Sequence, residues 1–443
     1  MDVKVCKFGG SSLADAGQFE RMQRIVADGD ARRYVVPSAP GRRDPEDRKV
    51  TDLLYLCHED ARQRVDFTEV FDLISERYRA IVSGLDLDLD LDTPLAEVAE
   101  GITRNGREDL GPAYAASRGE FLNGHVVAAA LDFEFIDAAE VIRFDSRGRL
   151  DEAATARLIA ERTDHGRGAV IPGFYGADAD GTIHTFSRGG SDVTGALVAE
   201  AVGATVYENW TDVSGLLMAD PSVIDNPAGI DVITYQELRE LAYMGATVLH
   251  DEAIFPVRRA GIPVNIRNTN EPDHPGTRIV SEAEPITHEG NISGIAGRRG
   301  FAVIAIEKAL MNAEIGFGRR VLSVLEGMDI SFEHMPTGID TMSVVVTAEA
   351  IEGREEEVLH ELECECHPDS IELLPDLALI ATVGRGMAHT PGMAARLFGA
   401  LGDAGVNIRM IDQGSSEINI IVGVDDGAFD TAVGAIYDQF VDA

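Results

Sequence analysis

A lysine followed by two glycines and two serines, "KFGGSS" at positions 7–12, is the first stretch whose residue types could do chemistry. Lys7 ends an apolar run, and glycines let backbone N–H groups face a ligand because no Cβ blocks its approach. A helix starting just afterwards would add partial positive charge. The motif predicts an anion site without P-loop spacing, since GxxxxGK[ST] is absent. On pattern alone, a turn with a surface lysine is an equally good interpretation.

Three further stretches place polar residues where a strand runs into a helix or where a helix starts. They are "SRGEFLNG" (117–124), "SRGGSDVTG" (187–195) and "ENWTDVSG" (208–215). Because the carboxyl ends of parallel strands share one edge of a sheet, these residues could converge with Lys7.

Each of these polar residues also has a structural interpretation. Glu120 would stabilise a helix dipole from the first turn, and Asp192 would cap a helix. Arg188 would pair with a surface acid. Trp210, the only tryptophan, ends a buried strand and is predicted to be core rather than a stacking platform.

The elements that must position these residues alternate along the first part of the chain. Short β-branched runs predict buried strands, and helical spacing predicts helices between them. The predicted strands are "VKVCKF", "RYVVPS", "FEFIDA", "GAVIPGFYG", "ATVYENW" and "IPVNIRN". The predicted helices are "FTEVFDLISERYRAIV", "SRGEFLNGHVVAAAL" and "DVTGALVAEAV". This alternation indicates an α/β domain with a mostly parallel sheet covered on both faces.

The last part of the chain repeats itself. "FGRRVLSVLEGMDISFEHM" from Phe317 and "MAARLFGALGDAGVNIRMI" from Met393 align with an offset of 76 residues and no gap. Each copy fits a βαββαβ plan, so two small α+β modules are expected. The predicted domains are 1–285, 296–372 and 376–443, with strand exchange between the modules as a possibility.

The charge of the chain excludes some partners. The 443 residues carry 76 acidic and 38 basic side chains, a formal net charge of −38, and four of the basic ones are lysines. Such a surface stays hydrated and self-repelling, which indicates a salt-rich cytoplasm and resembles haloarchaeal proteins; an ordinary acidic protein is the alternative. Nucleic acid and anionic membranes are disfavoured as partners.

The cysteines and the N-terminus predict an ordinary intracellular protein. The four cysteines show no disulfide or zinc framework, and the CxC of Cys364 and Cys366, with one nearby histidine, is expected to be inert. The sequence has no leader pattern and no apolar run of membrane length, so a cytoplasmic protein is expected.

Six motifs and the two repeated modules that follow them resemble the aspartate kinase family. The motifs are, in chain order, "KFGGSS", "VVPSAPG", "SRGE", "RGGSD", "WTDVSG" and "MGATVLH". The modules resemble ACT domains, which bind small amino acids. The resemblance runs from about residue 2 to the C-terminus. It implies an amino-acid kinase (carbamate kinase-like) three-layer αβα sandwich followed by two ACT domains.

The resemblance implies MgATP-dependent phosphorylation of the β-carboxylate of L-aspartate, the first step towards lysine, threonine and methionine. No general base is required, because a side-chain carboxyl of pKa about 3.9 is already ionised at pH 7. The implied catalytic residues are Lys7 and Asp192. The implied substrate contacts are Ser38, Thr51, Glu120, Phe174, Arg188 and Ser191. The implied nucleotide contacts are Lys7, Phe8, Gly9, Gly10, Ser11, Thr211, Asp212 and Leu217. No protein metal ligand is predicted, since Mg²⁺ would rest on phosphate oxygens and water.

The resemblance also implies feedback by an amino acid, lysine or threonine, at the first module, and a homodimer or homotetramer. The implied effector contacts are Met311, Asn312, Ile315, Gly316, Phe317, Phe332 and Glu333. The alternative is an ordinary α+β core in which the two phenylalanines are plain packing.

Two positions depart from the commoner family pattern. Ser222 and Thr247 stand where many relatives have an arginine and a lysine that reach the nucleotide, although clostridial-type relatives share "MGATVLH". Arg258, Arg259 or potassium could compensate. Two alternative functions therefore stay open: another acyl-phosphate-forming kinase such as a glutamate 5-kinase, and a non-catalytic amino-acid sensor.

Overall fold

The computed structural model describes residues 2–163, 167–187, 189–246, 251–282 and 292–441. The chain forms two compact units. The first comprises residues 1–216, 230–235 and 248–285, and the second comprises residues 217–229, 236–247 and 286–443.

The first unit is built on an eight-stranded sheet of order β10-β12-β11-β7-β1-β2-β4-β3. The strands of this part of the chain are β1 Lys4–Phe8, β2 Arg32–Pro37, β3 Glu134–Phe135, β4 Ala169–Val170, β5 Tyr175–Ala177, β6 Ile183–Thr185, β7 Val206–Thr211, β8 Leu216–Leu217, β9 Gly229–Ile230, β10 Val232–Thr234, β11 Val264–Asn268 and β12 Thr277–Val280. The pairs of the sheet are parallel except β11 with β12. The mostly parallel sheet predicted from the sequence is confirmed.

Helices cover both faces of this sheet. The helices of this part of the chain are α1 Ala16–Ala27, α2 Val50–Arg62, α3 Thr68–Gly84, α4 Asp92–Arg107, α5 Ala113–Leu131, α6 Ala138–Val141, α7 Glu152–Thr163, α8 Gly190–Ala201, α9 Tyr235–Tyr243 and α10 Phe255–Ala260. The pleat of β1 sends Cys6 and Phe8 into the core that α1 to α5 build. Lys7 points to the opposite face, which α8 covers. The result is a three-layer αβα sandwich.

The second unit contains a five-stranded antiparallel sheet of order β14-β13-β15-β17-β16. Its strands are β13 Gly294–Glu307, β14 Thr341–Thr347, β15 Ser370–Val383, β16 Ile408–Asp412 and β17 Asn419–Asp425. Its helices are α11 Phe317–Gly327, α12 Ala348–Ile351, α13 Glu355–Cys366, α14 Met393–Asp403 and α15 Phe429–Phe440. The sequence repeat is visible in these bounds, since α14 begins and ends 76 residues after α11 (393 − 317 and 403 − 327).

The two repeats share their longest strands. The first half of β13 supplies Ile295 to the core beneath α14 and α15, whereas its second half supplies Ile304 to the core beneath α11 and α13. Between the halves the register of β13 on β15 shifts at Arg298 to Phe301. Each strand therefore belongs to both hydrophobic cores.

One stretch of the second unit differs from the sequence prediction. The stretch "ISFEHM" (330–335), which the βαββαβ plan places in the strand after the first helix, makes isolated bridges instead, at His334 with Val345 and, just beyond it, at Thr337 with Met342. Pro336 has no N–H to donate to a ladder, which accounts for the interruption. Helix α9, except its first residue Tyr235, clusters with the second unit.

Helix α9 is held there by two acidic side chains. The Glu237 carboxylate accepts hydrogen bonds from the Ser293 hydroxyl at 2.6 Å and the Arg385 backbone N–H at 2.8 Å. Asn419 donates to Glu240 at 2.7 Å. The boundaries 1–285, 296–372 and 376–443 stay predictions. Among the described residues, no helix has the length and apolarity needed to cross a bilayer.

Candidate active site

The pairing of β1 with β7 builds the centre of the site. The parallel register sets Lys7 opposite Asn209, so both side chains leave the same face of the sheet. Asp192, in the first turn of α8, meets them there. Its Oδ1 lies 2.7 Å from the Lys7 Nζ and accepts from the Asn209 amide at 3.0 Å, while the Asn209 Oδ1 lies 3.4 Å from Nζ. The ammonium is therefore held between a carboxylate and an amide.

Close backbone packing fixes the start of α8. A Cβ on Gly190 would lie 2.5 Å from the ring of Phe174, and a Cβ on Gly173 would lie 2.6 Å from the side chain of Ser191. Phe174 has φ of +79° and its N–H donates to the Thr194 hydroxyl at 3.1 Å. Such a backbone is strained for a phenylalanine and is kept only when its surroundings enforce it. The predicted substrate residue Arg188 lies outside the described residues.

The "KFGGSS" turn packs on the loop after β2. A Cβ on Gly10 would lie 2.9 Å from the Ala39 carbonyl oxygen, and one on Gly41 would lie 2.6 Å from the Gly10 backbone. The N–H of Gly9 donates to the Trp210 carbonyl at 2.9 Å and continues the sheet. Gly9, Gly10 and Ser11 were all predicted to contact the nucleotide. Because the Gly9 N–H is used within the sheet, the N–H groups of Gly10 and Ser11 remain as candidate donors to its phosphates.

Glu120 is a buried carboxyl, 6% exposed, on α5. Burial raises its pKa to about 7, and this effect outweighs a hydrogen bond from the Ala39 N–H and the positive charge of Arg118. Its Oε2 has no hydrogen-bond partner in the described part of the chain. A carboxylate with an unused oxygen suits a ligand ammonium.

The other predicted substrate residues surround this helix and β2. The Ser38 N–H donates to the Phe8 carbonyl at 3.0 Å, and its carbonyl accepts from the Asn123 amide at 2.6 Å. Thr51, half-buried, lies in the first turn of α2.

Sequence reasoning missed Asn123 and Asn209 as residues that fix the site. Asn123 lies in the motif "SRGEFLNG" and Asn209 in "ENWTD". The signal that could have identified them is an amide side chain at a position where the surrounding pattern favours an apolar one.

The nucleotide residues predicted from the sequence fall into different environments. Thr211 is half-buried and donates to the Asp212 carboxylate at 3.1 Å, next to the end of β7. Phe8 is fully buried, because the pleat that points Lys7 to one face of the sheet turns Phe8 into the core on the other. Leu217 is 42% exposed and clusters with the second unit.

Trp210 is 1% exposed and stacks on Phe8 at a ring-centroid distance of 6.0 Å. The prediction that it is a core residue is confirmed. Its indole N–H donates to Glu208 at 3.0 Å, and Glu208 also accepts from Arg32 at 2.8 Å and pairs with Lys4 at 3.1 Å. Burial disfavours this carboxylate, yet the hydrogen bonds and charges of Arg32 and Lys4 hold the pKa of Glu208 below its usual range.

The positions suggested to compensate for missing nucleotide contacts are described in part. Arg259 pairs with Glu152 at 2.6 Å and Glu200 at 2.8 Å, so its charge is already engaged on the surface of the first unit. Ser222 is exposed, and its N–H donates to Asp220 at 2.8 Å. Thr247 lies outside the described residues.

The predicted effector residues are partly core and partly surface. Met311 and Phe317 are buried in the core beneath α11. Ile315 is 97% exposed and Phe332 is 44% exposed. Glu333 is half-buried and accepts a hydrogen bond from the Tyr243 hydroxyl. Asn312 is exposed, and Gly316 has φ of +83° just before α11.

Comparisons with known proteins agree with this architecture. Residues 2–268 match the amino acid kinase family model, and residues 380–440 match an ACT domain model. Aspartokinase 3 of Bacillus subtilis is 40% identical over 451 residues, covering 99% of this chain and 98% of the relative. The chain therefore belongs to the amino acid kinase family.

Solved structures narrow the assignment. The aspartate kinase of Clostridium acetobutylicum is 53% identical, with a TM-score of 0.93 over 99% of this chain and 100% of that chain. Escherichia coli aspartokinase III matches as a complex with aspartate and ADP (28% identity, TM-score 0.71, 99% of both chains) and as a complex with lysine and aspartate (27%, 0.74, 100% of both). Within its family the chain is an aspartate kinase with a C-terminal ACT domain. The resemblance read from its motifs is confirmed.

Proposed function

We propose that the first unit transfers the γ-phosphoryl group of ATP to the β-carboxylate of L-aspartate, with Lys7 at the centre of the reaction. A bond forms between a carboxylate oxygen and phosphorus as the bond to ADP breaks, and no proton has to move. The difficulty is electrostatic, because an anion must approach a polyanion. Positive charge, N–H donors and alignment are what the protein has to provide.

The observation that carries this proposal is the ammonium of Lys7 held between Asp192 and Asn209 at the carboxyl ends of β1 and β7. That edge of an open parallel sheet is where ligands bind. In this role Lys7 neutralises the transferring phosphate, and Asp192 fixes the direction of the amine. The N–H groups of Gly10 and Ser11 would contact the phosphates, and Thr211 and Asp212 the adenosine side.

Aspartate is proposed to lie between Glu120 and the loop before α8. The Glu120 carboxylate would receive the α-ammonium, because its Oε2 is buried and without a partner among the described residues. Arg188 would receive the α-carboxylate through its planar fork. Ser38, Thr51, Phe174 and Ser191 complete the proposed contacts.

The donor set also fits magnesium bound with the nucleotide. The described residues contain no cluster of three or more His, Cys, Asp or Glu that could hold a metal ion. Asp192 is the one carboxylate described at the phosphate side, so phosphate oxygens and water would provide most ligands. When bound, Mg²⁺ would neutralise part of the phosphate charge.

The second unit is proposed to bind an amino acid, lysine or threonine, near Glu333 and the turn before α11. The support is the match to an ACT domain and the lysine complex of the E. coli relative. We further propose a homodimer or homotetramer acting in the cytoplasm. The net charge of −38 argues against nucleic acid or membrane partners.

The test is ADP release with aspartate or glutamate as acceptor, over a range of KCl concentrations. Aspartate-dependent release is expected, and Lys7→Ala should lower kcat on the order of 10²–10³-fold. Arg157→Ala is the matched control, because it removes the same charge from an exposed pair with Glu161. Release with glutamate alone would favour a glutamate 5-kinase, and no release at any salt concentration would favour a sensor.

A further inference from the structure

Arg77, a buried arginine on α3, joins two points of the loop that runs from β2 to α2 (38–49). Its side chain is 6% exposed. Its Nη1 donates to the Gly41 carbonyl at 2.9 Å, and its Nη2 donates to the two carboxylate oxygens of Asp47 at 2.7 Å and 2.6 Å. A planar guanidinium holds two acceptors at once in fixed directions. The loop is therefore fastened to α3 at both of these residues.

Asp47 gathers the rest of the loop around Arg77. Its carboxylate, 11% exposed, also accepts from the Arg43 side chain at 2.9 Å and from the backbone N–H groups of Arg43 and Arg48 at 3.0 Å. The hydrogen bonds from Arg43 and the charges of Arg77 and Arg43 hold the pKa of Asp47 below its usual range. The carboxylate is therefore ionised at neutral pH and keeps its grip on both arginines.

Gly41 passes this restraint to the "KFGGSS" turn. Its N–H donates to the Gly10 carbonyl at 2.8 Å, which also accepts from the Leu13 N–H at 3.1 Å. In a planar trans peptide, the Gly10 carbonyl and the Ser11 N–H point in opposite directions. The bond from Gly41 therefore helps to set the direction of the Ser11 N–H. The contact is tight, because a Cβ on Gly41 would lie 2.8 Å from the Ser11 nitrogen.

We propose that Arg77 is a positioning residue for phosphoryl transfer. It holds Gly41 and Asp47 in place, and Gly41 in turn orients the peptide whose N–H group meets the phosphates of the nucleotide. The inference rests on the proposed function of the first unit. Arg77 acts through the loop and would touch neither substrate. A displacement of about 1 Å in groups that align reactants can cost on the order of 10²-fold in rate, so a remote clamp has kinetic consequences.

The test is steady-state kinetics of Arg77→Met and Arg77→Lys with each substrate varied. In Arg77→Met, kcat should fall on the order of 10²-fold, a larger change than that in KM for ATP, because misdirected donors weaken the transition state most. Arg77→Lys should recover part of kcat, since an ammonium lacks the fork that holds two acceptors. Arg79→Met is the matched control. It removes the same charge from the same helix, from an exposed pair with Asp92, and should keep the wild-type kcat.

Hydrogen exchange reports on the clamp independently of activity. Backbone amides of residues 38–49 should exchange at least tenfold faster in Arg77→Met than in the wild type. Arg32→Met removes another buried arginine, from its pair with Glu208, and should lower stability to urea without changing kcat.

Asp47→Asn leaves Arg77 in place and serves if Arg77→Met does not fold. It should lower kcat at least tenfold. A wild-type kcat in Asp47→Asn or in folded Arg77→Met would overturn the proposal, as would an equal fall of kcat in Arg32→Met. A failure of the proposed function would be seen separately, as wild-type protein without aspartate-dependent ADP release.

Discussion

Lys7 and Asp192 form an ion pair of 2.7 Å in which the two side chains are only 10% and 15% exposed. The pair joins the end of β1, where the "KFGGSS" turn begins, to the first turn of α8. Removing one partner of such a pair leaves an uncompensated charge, which costs more than the pair itself contributes.

Replacing Asp192 with asparagine should release the amine from its fixed direction. We expect kcat to fall on the order of 10²-fold, as for loss of one oriented transition-state group, while KM for aspartate changes little. Steady-state kinetics with each substrate varied would measure this. A kcat equal to that of the wild type would show that Asn209 alone positions the lysine.

The acidity of Glu120 predicts a pH dependence of substrate binding. Because its pKa is about 7, the carboxylate that binds an ammonium is lost as the pH falls through that value. KM for aspartate should therefore rise about fivefold between pH 7 and pH 6, with KM for ATP nearly constant. In Glu120→Gln the dependence should vanish and KM should be high throughout. A wild-type KM that is flat over this range contradicts the assignment.

Glu208 should contribute to stability rather than to catalysis. It is 1% exposed and satisfies Arg32, Lys4 and the Trp210 indole. Glu208→Gln would remove the buried counter-charge of Arg32 and Lys4, leaving Arg32 only its longer pair with the exposed Asp28 at 3.7 Å, and we expect a loss of about 3–5 kcal/mol in the free energy of unfolding. Urea unfolding measures the change. Glu161→Gln, from an exposed pair, should cost well under about 1 kcal/mol.

The contact between Tyr243 and Glu333 predicts a change in effector sensitivity. Burial and the nearby Glu333 raise the pKa of Tyr243 to about 12, so the hydroxyl stays a donor to the carboxylate. Tyr243→Phe would free Glu333 for an effector ammonium, and half-inhibition should then need several-fold less lysine or threonine. Glu333→Gln should act in the opposite direction. Inhibition curves that coincide for wild type and both variants would exclude this carboxylate from the effector site.

Much of the first unit could be predicted from the sequence because apolar runs and helical spacing are local signals. The run that ends in Lys7 forms β1, and the pattern from Asp192 forms most of α8. Those two residues were also correctly expected near each other, since both lie where strands give way to helices.

The remaining parts of the site depend on contacts between distant segments. No local pattern tells that Gly10 packs against Gly41, or that Phe174 adopts a positive φ. Nor does one predict that the guanidinium of the buried Arg118 lies against the rings of Tyr114, Phe121 and Tyr175, with no hydrogen-bond partner for its Nη2 among the described residues. The interruption of "ISFEHM" was missed because the alternation of apolar and polar residues in this stretch favours a strand. Pro336, which follows it, has no N–H to donate to a neighbouring strand.

The strand β13 crosses from one hydrophobic core to the other without a break in the chain. Each of the two repeats therefore needs part of β13 to complete its own hydrophobic core. Cutting the gene between the two repeats would therefore not yield two independently folding fragments, and the pair should melt in a single cooperative transition.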